Sequence, residues 1–468
     1  MSDSYKYSHN SQYPSEAARI FSFFESRGGR YDEIAFFGLQ YFIKRYLSGV
    51  VVTEEKIAQA KLFIKYHMPT MDFYEEGWRY ILEECDGKLP VEIRAIPEGT
   101  IVPVKNAMVT VVNTGEDGEK TRWVTNFIET LLSQVWYTCS VATQSREMKK
   151  DILDALIKTG DPETISIKLH DFGFRGVTCP EQAALGGAAH LTSFSGSDTV
   201  IALPFVMQYY LTYEQTDGKT LEEVIRDFMP GFSLPASEHS TMTSWKRKNE
   251  FKAYENMLKV YPTGPVSVVS DSYDIFNACQ NGWGGELKEQ VLGRDGVLVV
   301  RPDSGDPVTV LRKILKILGD SFGTTVNEKG YRLLHEKVRV IQGDGIDYLS
   351  LRSILNALIE DGWSADNIVF GSGGGLLQKL NRDTQKFAIK CSAAKVDGKW
   401  VDVIKDPITD KGKKSKAGRL ALVCENGEHK TQGFGSEGES NLLVPVFRDG
   451  ELLKEYSFDE IRELAKVA

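Results

Sequence analysis

The chain has 468 residues, with 56 Lys and Arg against 65 Asp and Glu for a formal net charge of −9, and 41% of it is apolar. This composition is ordinary for a folded globular protein and argues against disordered, collagen-like and disulfide-dense classes. The acidic balance argues against nucleic acid as the main partner, which would need a basic face, and apolar runs such as Val266–Val269 and Val297–Val300 are far too short to span a bilayer.

The length predicts two or three domains. The cysteines (Cys85, Cys139, Cys179, Cys279, Cys391 and Cys424) are scattered without a C-x-x-C pair, and the N-terminus is polar without the apolar stretch of a signal peptide. Both features predict a cytoplasmic protein with free thiols and no zinc site.

Along the chain, Glu33–Leu47 has apolar residues at helical spacing and reads as an amphipathic helix. A second helix is predicted from Glu54 to about Tyr66, capped by Thr53. Leu89–Ile96 and Thr100–Val112 read as strands around a Pro97-Glu98-Gly99 turn, and Trp123–Val135 returns to helical spacing.

From about Ile165 the rhythm changes. Short apolar runs (Ile165–Leu169, Thr199–Leu203, Phe232–Pro235, Val266–Val269, Val297–Val300, Val338–Ile341 and Ile368–Phe370) alternate with helical segments. That alternation predicts an α/β protein with an irregular, barrel-like parallel core over residues 151–380. Between two of these runs, Tyr209–Pro230 reads as a long acidic loop. After Leu380 the rhythm stops. Lys390–Val396, Val401–Ile404 and Leu420–Val423 read as strands, Lys405–Arg419 as a loop, and Ser457-Phe-Asp-Glu460 as a cap before a terminal helix. Residues 1–150 and 381–468 are therefore expected to form one flanking α+β domain.

In a barrel, chemistry sits beyond the carboxyl ends of the strands. The polar segments there are His170-Asp-Phe-Gly-Phe-Arg-Gly176, Glu238-His-Ser240, Ser270-Asp-Ser-Tyr-Asp274, Arg301-Pro-Asp-Ser-Gly305, Gly343-Asp-Gly345 and Gly371-Ser-Gly-Gly-Gly375. The two glycine-rich loops are either tight turns or bare backbone that cradles phosphate; two of them in successive units favour phosphate. Arg175 and Arg301 are planar forks suited to phosphate oxygens. Asp271, Asp303 and Asp344 are either helix caps or oxygen ligands for Mg²⁺ or water. His239, flanked by Glu238, is either a structural hydrogen-bonder or a nucleophile or acid–base group. His170 carries the same two readings, and His190 reads as structural. Phe172 either belongs to the core or stacks on a flat heteroaromatic ring.

These segments together resemble the nicotinate/nicotinamide phosphoribosyltransferase family, and within it the nicotinamide-using branch. The resemblance runs from Asp3-Ser-Tyr-Lys6 to Ser457-Phe-Asp-Glu-Ile-Arg462 and includes Lys168–Gly173, Pro235–Thr241, Val266–Asp274, Arg301–Gly305, Ile341–Gly345 and Phe370–Leu380. It implies a type II phosphoribosyltransferase fold and a homodimer with active sites at the subunit interface. The implied reaction joins nicotinamide to phosphoribosyl pyrophosphate, giving nicotinamide mononucleotide and pyrophosphate. Mg²⁺ would assist beside Asp303, and ATP hydrolysis would be coupled through a phosphohistidine at His239. The same resemblance makes Phe172 and a partner's Tyr5 the faces of a ring sandwich, with Asp3 near Tyr5. Asp198 would accept the amide N–H and repel the carboxylate of nicotinate. Arg301, Gly343, Asp344 and Gly374 would hold ribose and 5′-phosphate near Ser267, and Arg175 would contact ligand and phosphates. Asp271 and Asp303 would flank the reacting carbon, and Arg27, Arg382, Lys390 and Lys405 of the partner would surround the polyphosphate. The rival activity is nicotinate phosphoribosyl transfer, with Asp198 as the discriminating residue.

Overall fold

The computed structural model describes residues 2–409, 415–434 and 441–467. The chain divides into two units, one of residues 1–143, 206–219 and 380–466, the other of residues 144–205 and 220–379 with the last two residues.

The first unit is built on a seven-stranded sheet in the order Lys399–Asp402, Phe387–Val396, Ala17–Ser26, Ala107–Asn113, Val91–Ala95, Val444–Arg448, Glu451–Leu452. Every neighbouring pair in it is antiparallel. Helix Glu54–His67 starts at the expected cap, where the Thr53 hydroxyl accepts the Lys56 N–H at 3.3 Å. The terminal helix Phe458–Leu464 carries the expected capping box between Ser457 and Glu460. Between Lys405 and Arg419 the described residues form no regular element, and residues 410–414 lie outside the described residues.

Glu33–Leu47 is not one helix. Glu33–Ala35 is a strand, and helix begins only at Leu39, continuing as a π-turn over Ile43–Leu47. Gly38 causes the break, with φ of 107°, and any Cβ there would lie 2.2 Å from Thr138 Oγ1. The buried Glu98 carboxylate then caps the new start by accepting the N–H groups of Gly38 (2.9 Å) and Gln40 (2.6 Å). The run Thr100–Val112 likewise splits at Lys105, where φ is 68°, into Ile101–Pro103 and Ala107–Asn113.

The second unit holds a curled parallel sheet in the order Gly196–Ser197, Leu169–Asp171, Ile368–Ser372, Val338–Gln342, Leu298–Arg301, Val266–Val269. Leu169, Val266, Val268, Leu298, Val300, Val338, Val340, Ile368 and Phe370 belong to one hydrophobic core that also takes residues of helices Glu250–Val260, Pro307–Phe322 and Tyr348–Glu360. Residues of alternate parity, among them His170, Val299, Arg339 and Val369, instead line a cavity of about 560 Å³.

Three expected strands differ. Ile165–Leu169 begins inside a 3₁₀ turn, Pro162–Ile167, whose first N–H groups are capped by Asp161, so the strand starts at Leu169. Thr199–Leu203 is not a strand. The strand is Gly196–Ser197; the Ser197 hydroxyl accepts the Thr199 N–H at 3.1 Å, and helix starts at Ala202. Phe232–Pro235 makes only single bridges, Gly196 to Phe232 and Ala236 to Ser267, because Pro235 has no N–H to extend a ladder. Through those bridges the segment joins both edges of the sheet, which makes the barrel irregular. The acidic stretch after Tyr209 is not a plain loop either: Tyr213–Thr216 and Leu221–Asp227 are helices, each opened by a capping box. Among the described residues, no helix is long and apolar enough to cross a membrane.

Candidate active site

The carboxyl ends of strands Val266–Val269 and Leu298–Arg301 bring Asp271 and Asp303 to His239. It opens the short helix His239–Thr243, capped by Glu238, and its side chain is 44% exposed. Its Nε2 lies 3.0 Å from Asp271 Oδ1, and its Nδ1 lies 3.8 Å from Asp303 Oδ2. Asp271, just past strand Val266–Val269, is only 4% exposed. Its second oxygen accepts the Asp303 N–H at 3.0 Å and the Ser304 hydroxyl at 2.5 Å. Asp271 is therefore an acceptor on both oxygens, which assigns the proton of the shared hydrogen bond to His239 Nε2.

Arg301, at the end of strand Leu298–Arg301, places its Nε 3.9 Å from Asp303 Oδ1. Burial raises the pKa of Asp303, Arg301 opposes that rise, and the carboxylates of Asp271 and Asp344 add to it. The Arg301 Nε has no hydrogen-bond partner although it is buried.

The two glycine loops come close to Phe172. A Cβ on Gly371 would lie 2.0 Å from Phe172 Cε2, so the ring rests on bare backbone. A Cβ on Gly343 would lie 3.3 Å from the same ring and 3.8 Å from Asp303 Oδ1. Gly374 opens a helix of only four residues, Gly374–Leu377. Asp344 and Arg175 are exposed, and Ser267 is buried in its strand.

Phe172 is half-buried, and its N–H donates to the Ser372 carbonyl at 2.9 Å. Asp198 is exposed, one of its carboxylate oxygens accepts the Ser233 hydroxyl, and its N–H donates to the Asp171 carbonyl at 2.9 Å. His170 is buried beneath; burial lowers its pKa and Asp198 partly restores it. His190 is fully buried, with Nδ1 3.0 Å from the Ser145 hydroxyl and Nε2 3.2 Å from two carbonyls, a structural role.

The first unit carries the remaining predicted residues. Arg27, Arg382 and Lys405 are exposed, and all three depress the pKa of half-buried Lys390, after the larger effect of burial. The four cations thus share one face. Asp3 and Tyr5 belong to a 3₁₀ segment, Ser4–Gln12 with Asp3 as its cap. Thr130 Oγ1 donates to Asp3 Oδ2 at 2.6 Å and Lys6 pairs with Glu129 at 3.0 Å. Arg122 donates to the carbonyls of Asn10, Pro14, Ser15 and Ala17. Tyr5 is left 56% exposed.

Among the described residues, no group of three His, Cys, Asp or Glu side chains is arranged to hold a metal ion. Sequence reasoning missed Ser233, and it gave no role to Ser304 and Asp171 although both lie in segments it singled out. The only signal was their position at strand ends, next to residues already singled out.

The model of the nicotinate phosphoribosyltransferase (NAPRTase) family matches residues 167–451, and that of the nicotinamide phosphoribosyltransferase N-terminal domain matches residues 1–93. The chain belongs to this phosphoribosyltransferase family. It is 46% identical to a nicotinamide phosphoribosyltransferase of Xanthomonas campestris pv. campestris, covering 100% of this chain and 97% of that one. It is 32% identical to one of Acinetobacter baylyi, covering 98% and 95%. Among solved structures, nicotinate-nucleotide pyrophosphorylase from Pyrococcus furiosus aligns with a TM-score of 0.60 at 16% identity, covering 99% of this chain and 93% of that one. Human nicotinic acid phosphoribosyltransferase aligns at 0.57 and 17%, with the same coverage. At such identities these two show the shared fold.

Proposed function

We propose that the protein transfers phosphoribosyl from phosphoribosyl pyrophosphate to nicotinamide, releasing pyrophosphate, as an ATP-coupled homodimer. The observation that carries the choice of base is Asp198. One carboxylate oxygen takes the Ser233 hydroxyl, and in this reading the other, on an exposed side chain, accepts the amide N–H of a ring stacked on Phe172. Nicotinate would bring its own carboxylate to the same place and be repelled. The names of the relatives agree with this reading.

In the transfer, the pyridine nitrogen bonds to C1 of the ribose while the C1–O bond to pyrophosphate breaks. Positive charge builds on the ribose, and Asp303, with Asp271 behind it, stabilises that charge. Arg301 and the amides of Gly343 and Gly374 hold the 5′-phosphate. The polyphosphate is held by Arg27, Arg382, Lys390 and Lys405, supplied with Asp3 and Tyr5 by the second subunit. Mg²⁺ arriving with the phosphates would neutralise their charge beside Asp303, whose half-exposed carboxylate suits an oxygen-seeking cation. In the coupled step, His239 Nδ1 attacks the terminal phosphorus of ATP, an N–P bond forms, the P–O bond breaks and ADP leaves. Asp271 holds the ring and its Nε2 proton.

The test supplies phosphoribosyl pyrophosphate and Mg²⁺ with either base, with and without ATP. Mononucleotide from nicotinamide, increased by ATP, is the expected result. A preference for nicotinate would overturn the Asp198 argument.

A further inference from the structure

Asp171 is fully buried and lies between two strands' worth of site residues, yet neither a phosphate loop nor a ring contact needs it. Its main-chain and side-chain oxygens reach in two directions. The carbonyl accepts the Asp198 N–H at 2.9 Å. The carboxylate Oδ1 accepts the Gly173 N–H at 2.7 Å, closing the turn that carries Phe172. The Oδ2 is buried without a hydrogen-bond partner, as is the nearby Thr199 hydroxyl; a Cβ on Gly187 would fall 3.3 Å from Oδ2 and 3.0 Å from the Thr199 methyl, so this side is closed by packing. One residue thus ties the turn of Phe172 to the turn of Asp198 and Thr199.

We infer that Asp171 is a positioning residue for the base: it sets the distance between the ring face of Phe172 and the amide-accepting carboxylate of Asp198. This rests on the reading of that pocket as the nicotinamide site. A solvated carboxylate would be a weak tether. Here water is excluded, an unsatisfied donor on Gly173 would be costly, and the tether is correspondingly stiff. Burial pushes the Asp171 pKa up to about 6, which the Gly173 N–H and the Thr199 hydroxyl oppose and Asp198 slightly reinforces. At neutral pH the group is therefore largely an ionised acceptor, the form that holds Gly173 best.

The test is steady-state kinetics of Asp171→Ala and Asp171→Asn, each varied in both substrates. Displacing a stacked ring by a fraction of an ångström should raise the nicotinamide KM about tenfold in Asp171→Ala. The KM for phosphoribosyl pyrophosphate should stay within about twofold, because Arg301 and the glycine loops are untouched. Asp171→Asn keeps an acceptor for Gly173 and should restore the nicotinamide KM to within about threefold of the parent. If Asp171→Ala does not fold, the same split in Asp171→Asn, a smaller rise in one KM only, decides. An unchanged nicotinamide KM in folded Asp171→Ala overturns the inference, as does one in Asp171→Asn where Asp171→Ala does not fold. So does a parallel fall of all constants with the melting temperature, the mark of a merely structural residue. If the parent makes no mononucleotide from nicotinamide, the proposed function itself has failed and takes this inference with it.

Discussion

The end of the parallel barrel and the basic face of the first unit are built on opposite plans. Around His239 the polar groups share one acceptor: Asp271 takes bonds on both oxygens, from His239, from the Asp303 N–H and from the Ser304 hydroxyl. The face formed by Arg27, Arg382, Lys390 and Lys405 has no such internal bonding; its cations repel one another. The first plan suits bond making, where a developing charge must meet fixed dipoles. The second suits capture of a mobile polyanion, where attraction counts for more than angle.

The sharpest way to break this contrast is to remove the centre of the committed network. His239→Ala should abolish stimulation by ATP, an effect of about a thousandfold or more on the coupled rate. The fold should survive, since His239 begins a helix of five residues and is nearly half exposed. Stimulation by ATP that persists in the variant would remove His239 from the coupled step.

The committed plan also has a cost in stability, visible at Asp171. Its folded pKa of about 6 lies above the ordinary 3.8, so the folded state holds that proton more tightly than the unfolded chain. The contribution is fully present below pH 3.8 and is lost as the pH rises through about 6. The gap is worth about 3 kcal/mol at most. Asp171→Asn cannot ionise, so denaturant titrations from pH 4 to pH 8 should show it gaining on the parent by up to that amount. Parallel curves would mean that the burial of Asp171 carries no such penalty.

The same contrast explains what could be read without a structure. The strands Val266–Val269 and Leu298–Arg301 are legible because a strand covered by helices must be apolar and a barrel puts its polar residues just beyond. The caps at Thr53 and Ser457 are legible because capping is local. Ser233 on Asp198 is not, because the two residues are 35 apart and no local pattern marks the contact. The gathering of Arg27 with Lys390 depends on the pairing of Ala17–Ser26 with Phe387–Val396, so only the family resemblance could suggest it. Three of the failed elements share a cause too: Gly38, Lys105 and Pro235 each impose a backbone event that the apolar rhythm does not register.

The mildest test bears on the basic face alone. Lys390 is half-buried in its strand, where burial lowers its pKa, Glu129 opposes the fall, and the charges of Arg27, Lys405 and Arg382 add to it. Lys390→Ala should raise the KM for phosphoribosyl pyrophosphate about tenfold, the loss of one charge-assisted contact of about 1.4 kcal/mol. Salt makes the finer distinction. The Debye length falls from about 10 Å at 0.1 M to about 3 Å at 1 M, which screens exposed cations but hardly touches a buried network. In the parent, that KM should climb several-fold over this range while kcat holds. In Lys390→Ala the climb should be shallower, since one of the screened charges is gone. A kcat that falls with salt as steeply as the KM rises would place the basic face inside the bond-making machinery and dissolve the contrast between the two regions.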